Sequence, residues 1–293
     1  MSDDVHILLA QHAKTTELFG VDFLPLGDPS STLIGSLNID DPAQSKSKPK
    51  REAVASPPPP DFQTHEPQIQ PVTCRELQSC YEHLDDPQAK LDALRARYEL
   101  DAPHQHFNAK FTNIVFGEGS STAELVFVGE APGEQEDLTG RPFVGRAGEL
   151  LEKMIGAMGL SRQTVYIANV LKTRPPNNAT PTHQESLLCA PYLMEQIRII
   201  APKVIVTLGL PASHLLLGSR SPMRSLRGHW HAFPPTDTSI AMFSGDEGNP
   251  LPKVELMPTY HPAYLLRSYT PENRRKVWAD LTMVMEKLGL GPQ

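Results

Sequence analysis

The feature that most constrains the fold is an alternation of short apolar runs with amphipathic segments, which begins near residue 112. The apolar runs are rich in β-branched residues, as buried strands are; they are 125–128, 165–170, 204–208 and 254–258. Apolar residues in the segments between them recur every three or four positions, which is typical of helices; these segments are 147–159, 184–201, 211–217 and 271–288. The alternation predicts a three-layer α/β/α fold around a central, mainly parallel, four-stranded sheet.

The amino-terminal third of the chain has a different character. The net charge of −7 belongs to residues 1–101, since acidic and basic residues nearly balance in the remainder. Many of the 29 prolines also lie there, including the run Pro57 to Pro60, and such a run favours an extended, unpaired chain. We predict four parts, namely a short N-terminal helix (1–27), a disordered proline-rich linker (28–72), a helical extension (73–111) and a compact domain (112–293).

Composition excludes several classes of protein. No apolar run approaches the roughly 18 residues of a membrane span. The acidic amino terminus is unlike a secretory signal, so we expect a cytoplasmic protein with no membrane partner. Three cysteines in 293 residues are no disulfide framework. Because no extended apolar seam stands out, we expect a monomer.

Ligands of open parallel sheets bind outside the carboxyl ends of the strands, so the residues after each strand are the candidates for chemistry. The first strand leads into a Gly-rich loop, Gly129 to Gly133, whose bare amides suit an anion or a carbonyl. Acidic residues, Glu130 and Glu136 among them, follow closely. A solvated loop with one helix-capping acid is the alternative interpretation.

Polar residues also follow two other strands. Asn169 ends the second strand, and its amide suits a ligand that presents an N–H beside a C=O, as a pyrimidine edge does. Capping of the strand end is the alternative. His261 follows the fourth strand and precedes a proline, which holds it out of helical geometry. Arg274 and Arg275 form a basic cluster suited to phosphates, or an ordinary solvated helix face. Convergence of three strand ends on one crevice favours a ligand site over each of these separate alternatives.

Five motifs together resemble the family 4 uracil-DNA glycosylases. They are GEAPG at 129–133, GRPFVGRAG at 140–148, YIANV at 166–170, KVIVTLG at 203–209 and PTYHPAY at 258–264. The resemblance covers about residues 112–286, so it implies that 112–293 is a uracil-DNA glycosylase catalytic domain. Such enzymes flip uracil out of DNA and hydrolyse its N-glycosidic bond, which leaves an abasic site for base excision repair.

The resemblance also implies roles for individual residues. Phe143 would stack on the flipped uracil, Asn169 would read its N3–H and O4, and His261 would donate to O2 as negative charge develops there. The remaining uracil-binding residues would be Gly129, Ala131 and Gly133. The related family 1 enzymes carry an Asp where this chain has Ala131, so the water-activating carboxylate is expected to be Glu130 or Glu136. DNA contacts are expected from Leu265, Leu266, Arg267, Arg274 and Arg275.

Family 4 enzymes typically hold a 4Fe–4S cluster on four cysteines. The matching positions here are Ala102, Gln105, Thr173 and Cys189, so only Cys189 matches. One thiolate does not replace four, and we therefore predict neither a cluster nor any other metal site. Two functions stay open at this point, a monofunctional uracil-DNA glycosylase acting on uracil-containing DNA and a non-catalytic module of the same fold that binds DNA or uracil.

Overall fold

The structure of the protein is a computed structural model that describes residues 71–107, 110–235 and 250–291. The expected helix in 1–27 and nearly all of the expected linker in 28–72 lie outside the described residues. The division of the chain into domains therefore stays a prediction. None of the helices in the described part of the chain is long and apolar enough to cross a membrane.

The described residues form a mixed sheet with the strand order β1-β3-β2-β4-β6-β5. The strands are β1 (Glu118–Gly119), β2 (Leu125–Gly129), β3 (Tyr166–Asn169), β4 (Val204–Leu208), β5 (His231–Phe233) and β6 (Val254–Thr259). The four strands expected from the sequence are the four central ones, and they run parallel. The two short outer strands, β1 and β5, pair antiparallel with their neighbours and were not expected.

Helices cover both faces of the sheet. They are α1 (Cys74–Gln78), α2 (Pro87–Asp101), α3 (Glu134–Thr139), α4 (Arg146–Ala157), α5 (His183–Ile200), α6 (Leu210–Leu217), α7 (Met223–Leu226), α8 (Pro262–Arg267) and α9 (Pro271–Lys287). The predicted α/β/α fold class is confirmed, with a sheet wider than the four strands expected. The expected helical extension, 73–111, contains the two helices α1 and α2, because Asp86 caps a new helix that starts at Pro87.

Alternate residues of each central strand enter different cores. Leu125 and Phe127 pack with α4 and α9 on one face, whereas Val126 and Val128 pack with α2 and α5 on the other. This is the two-residue period of a strand with both faces covered. Burial on both faces fixes the register of the strands, and the register decides which residues meet at the carboxyl edge of the sheet.

The helices α1 and α2 are fastened to α5 through buried polar contacts. The fully buried Glu195 of α5 accepts hydrogen bonds from Tyr81 and from Gln78, and it pairs with Arg198 at 3.0 Å. Tyr192 of α5 donates to Asp101 at the end of α2 at 2.6 Å. A buried carboxylate needs such compensation, so these contacts stabilise this arrangement of α1 and α2 against alternatives.

Candidate active site

A cavity of about 650 Å³ opens at the carboxyl edge of the sheet. Glu130, Phe143, Asn169 and His261 all line it, although they come from separate stretches of the chain. Gly129 explains why they can meet. A Cβ atom there would collide with both Asn169 Oδ1 and the Phe143 ring. The absence of a side chain at position 129 therefore gives room for an amide and an aromatic ring beside each other.

Asn169 is the last residue of β3 and lies opposite Gly129 of β2 in the parallel register. Its side chain is 2% exposed, and its Oδ1 has no hydrogen-bond partner among the described residues. A buried acceptor without a partner costs on the order of 1–3 kcal/mol. Asn169 lines the cavity, and the strand-capping alternative does not describe an oxygen that accepts no hydrogen bond from any described residue.

Lys172 contacts the backbone of Asn169, and the sequence interpretation gave it no role. Its side chain is fully buried, and its Nζ donates to the Asn169 carbonyl at 2.7 Å and to Gln196 Oε1 at 2.6 Å. Burial lowers the pKa of this ammonium to about 7. The lysine therefore fixes the backbone at the end of β3, and it does not line the cavity.

His261 caps α8, and this cap decides which ring nitrogen carries a proton. Its Nδ1 accepts a hydrogen bond from the Ala263 N–H at 3.0 Å, so the neutral ring carries its proton on Nε2. Burial is the main cause that lowers the pKa of His261 to about 4; nearby Arg267 lowers it further and Glu136 opposes the shift. The ring is therefore a neutral Nε2–H donor. It lies 5.6 Å from the Phe143 ring, centroid to centroid.

Phe143 lies in a loop with an uncommon backbone conformation. Its φ of +52° is left-handed, which is unusual for a bulky residue and costs on the order of 1–3 kcal/mol. Gly148 makes the turn possible, because a Cβ there would collide with the Phe143 carbonyl. The loop holds a largely buried aromatic ring, 5% exposed, against the cavity.

Both carboxylate oxygens of Glu136 are engaged by the backbone. One accepts from the Gly133 N–H at 3.1 Å, and the other accepts from Val144 and Gly145 at 2.9 Å each. Three backbone donors consume much of the accepting capacity of this carboxylate. Glu136 lies beside the cavity, but its contacts join the Gly-rich loop to the loop 140–145, which contains Phe143 and is called the Phe143 loop below.

Glu130 is the other carboxylate of the cavity, and it has a different environment. Partial burial raises its pKa, whereas a hydrogen bond from Thr180 and the charge of Arg267 act in the opposite direction. Thr180 and Arg267 also line the cavity, so these three residues lie around its mouth. Of the two acids expected from the sequence, Glu130 is the one without backbone N–H partners among the described residues.

The remaining expected site residues divide into two groups. Ala131, Gly133 and Arg267 line the cavity, and Arg275 is exposed.

Leu265 is completely buried in the core, and Leu266 also packs against it. Arg274 is 6% exposed and stacks 4.8 Å from the Tyr269 ring. The structure therefore does not bring Leu265 or Arg274 to the cavity opening. Tyr264, which is 37% exposed, does lie there.

Comparison with known proteins places this chain in a family. A family profile described as "Uracil DNA glycosylase superfamily" matches residues 116–282. The chain belongs to the uracil-DNA glycosylase superfamily. Its curated type-4 relatives are uracil-DNA glycosylases, and the chain is accordingly a DNA glycosylase, a hydrolase.

Within this family the chain is similar to proteins named type-4 uracil-DNA glycosylase. One from Thermotoga maritima is 46% identical over 170 residues, which are 58% of this chain and 80% of that protein. Another from Saccharolobus solfataricus is 42% identical over 185 residues, 61% of this chain and 78% of that protein. A third from Archaeoglobus fulgidus is 41% identical over 181 residues, 61% and 83% respectively. The resemblance to family 4 is confirmed.

The residues at the family 4 cluster positions do not fit a 4Fe–4S group. Cys189 supplies the one thiol, and burial raises its pKa to about 11, whereas a cluster needs four thiolates. Its Sγ lies 4.0 Å from the Tyr98 hydroxyl, and the Tyr98 ring packs on His104 and Tyr192. No group of three or more His, Cys, Asp or Glu side chains that could hold a metal ion occurs within the described ranges. Absence of a cluster stays a prediction.

We expect the purified protein to be colourless. A 4Fe–4S protein is brown and absorbs at roughly 400 nm, and the donor set here cannot form that chromophore. An absorption spectrum and an iron assay on the same freshly purified sample check this. Iron near four atoms per chain with a band at roughly 400 nm would contradict the prediction.

We also expect His261 to stay neutral at every pH between about 5 and 8. Its lowered pKa means that it gains a proton only as the pH falls toward about 4. The unfolded chain takes up that proton first, so this residue reduces stability as the pH falls below about 6.5. NMR titration of the ring, assigned by comparison with His261→Gln, measures the pKa. Titration of His261 near 6.5 would show that the ring is not desolvated as described.

Proposed function

We propose that this protein is a uracil-DNA glycosylase that flips uracil out of DNA, hydrolyses its N-glycosidic bond and leaves an abasic site for base excision repair. The unpartnered Asn169 Oδ1 in a cavity shared with Phe143 and His261 carries the proposal. The names of the type-4 relatives support it. The substrate is uracil-containing DNA, and the enzyme acts as a monomer.

Recognition of uracil follows from the donor and acceptor order of the Asn169 amide. Oδ1 accepts from uracil N3–H, and Nδ2 donates to O4. Cytosine presents an acceptor at N3 and a donor at C4, so the buried Oδ1 would stay unpaired beside it. A site that leaves a buried polar group unpaired rejects the wrong ligand strongly. Phe143 stacks on the face of the extruded base.

His261 assists departure of the base. As the glycosidic bond breaks, its electrons move onto uracil and negative charge grows at O2. The Nε2–H of the neutral ring donates to that oxygen, and the bond strengthens in the transition state. A neutral donor needs no proton uptake, so uracil can leave as its anion.

Glu130 serves the sugar side of the reaction. Bond breaking leaves positive charge on deoxyribose, and the Glu130 carboxylate stabilises that charge and orients the attacking water. The sequence left Glu130 and Glu136 unranked. The three backbone N–H bonds of Glu136 favour Glu130 for this role.

DNA is held around the mouth of the cavity. Arg267 and the exposed Arg275 contact phosphates, whereas Tyr264 occupies the rim where the sequence suggested Leu265. An exposed aromatic ring there can fill the gap left by the flipped nucleotide, as apolar wedges do in other complexes. Leu265 contributes indirectly, because its burial anchors the short helix α8.

The decisive test uses a DNA oligonucleotide with one uracil, at enzyme excess, followed by hot alkali. Cleavage at uracil, with none in a matched oligonucleotide that carries cytosine, is the result expected. Binding of the uracil oligonucleotide without cleavage would favour the non-catalytic module instead. Absence of both binding and cleavage would refute both functions.

Substitution of Asn169 by Asp should lower uracil excision by at least about a hundredfold. The added negative charge faces O4 where the amide donated, and an unpaired buried charge is costly. The protonated carboxyl could admit cytosine. Single-turnover rates on uracil and cytosine oligonucleotides measure both effects. Asn178→Asp is the matched control, because Asn178 Oδ1 already accepts from Arg174 at 2.8 Å on the cavity rim. Equal rates for the two variants would refute the assignment of the pocket.

Glu130→Gln should slow excision at least tenfold at neutral pH and abolish the acid limb of the pH profile. An ordinary Glu side chain has a pKa of about 4.3. Because the pKa of Glu130 is raised above that value, its active carboxylate is lost at a higher pH as the solution is acidified. Single-turnover rates from about pH 4 to 8 measure this limb. Glu134→Gln, an exchange at an exposed neighbour, is the control. A wild-type acid limb retained in Glu130→Gln would assign that limb to another group.

A further inference from the structure

Arg162 is a buried cation outside the cavity, in the turn between α4 and β3. It is 6% exposed, and its guanidinium donates to two successive carbonyls, Pro142 at 2.5 Å and Phe143 at 3.0 Å. Hydrogen bonds from a charged donor are stronger than neutral ones, and a guanidinium can present two N–H groups side by side. Arg162 therefore fixes the orientation of both peptide groups that flank the Phe143 Cα on its amino side and its carboxyl side.

Glu118 compensates the charge of Arg162. The carboxylate of this β1 residue lies 3.3 Å from Arg162 Nε. The surface residue Arg141 also pairs with this carboxylate, at 2.7 Å. The side chain of Arg141 is 57% exposed, whereas that of Arg162 is 6% exposed. Two arginines thus share one acid, but the bonds to the Phe143 loop are made by the buried one.

Two side chains bond to the backbone of the Phe143 loop. Glu136 holds the N–H groups of Val144 and Gly145, which follow Phe143, and Arg162 holds the carbonyls at Pro142 and Phe143. Phe143 itself has a left-handed φ of +52°, which an unrestrained loop would relax. The direction of the aromatic ring follows from this backbone conformation.

We propose that Arg162 is a positioning residue for uracil excision, which holds the Phe143 backbone so that the ring stands over the extruded base. This inference rests on the function proposed above. Arg162 does not line the cavity, so it acts through Phe143 and touches neither uracil nor DNA. Its loss should slow the chemical step and leave the affinity for DNA nearly unchanged, because only the placement of the base is altered.

The test compares Arg162→Met with Arg141→Met. Both variants remove a partner of Glu118, but only the first removes the bonds to the Phe143 loop. Single-turnover excision should be at least tenfold slower in Arg162→Met and within about twofold of the wild type in Arg141→Met, with the dissociation constant for DNA unchanged in both. Equal rates for the two variants would overturn the inference.

A double-mutant cycle separates positioning from a general loss of stability. In a Phe143→Leu background, Arg162→Met should slow excision by less than about twofold further, because the ring that it positions is gone. The same loss in both backgrounds would overturn the inference. The excision rate of Arg162→Lys, which can keep one carbonyl bond, should lie between those of the wild type and Arg162→Met. If Arg162→Met does not fold, the rate of Arg162→Lys decides the question. A rate as fast as that of the wild type would then contradict the positioning role.

The two proposals can fail separately. A wild-type protein that does not excise uracil refutes the proposed function. A wild-type protein that excises uracil, with Arg162→Met equally fast, refutes the role of Arg162 alone.

Discussion

The parallel register between β2 and β3 is the constraint on which the site depends. It sets Gly129 opposite Asn169 at the carboxyl edge of the sheet, and both faces of these strands are buried, so a slip by one residue would turn every side chain to the wrong core. Because position 129 has no side chain, the Asn169 amide and the Phe143 ring can lie beside each other in the cavity. The chemistry of the cavity depends on this proximity.

The groups of the cavity are held by hydrogen bonds within the protein. Lys172 holds the backbone carbonyl of Asn169, and the Ala263 N–H fixes the tautomer of His261. Glu136 joins the loop that contains Gly133 to the loop that contains Phe143. Such second contacts matter because a base-reading amide or a donor to a developing charge works only when it is already oriented. These hydrogen bonds therefore help to fix the position of the residues that line the cavity.

The sequence predicted the four central strands and the polar residues at three strand ends, because strand periodicity and the strand-end rule are local signals. It also predicted that His261 would be held out of helical geometry by the following proline. Other features required tertiary information. Leu265 looks like an exposed wedge until α8 is seen to turn it into the core. Glu136 did carry a local signal, a Glu three residues after the cap of a helix, but its reach to Val144 and Gly145 depends on how two loops meet.

In the proposed function, one extruded uracil is held by the Asn169 amide at the end of β3, the His261 imidazole after β6 and the Phe143 ring in the loop after α3. A crystal structure of the protein with free uracil, the product of the proposed reaction, tests it most directly. We predict uracil stacked on Phe143, with N3–H at hydrogen-bonding distance from Asn169 Oδ1 and O2 at hydrogen-bonding distance from His261 Nε2. Uracil bound elsewhere, or bound in this cavity with Oδ1 still unpaired, would contradict it.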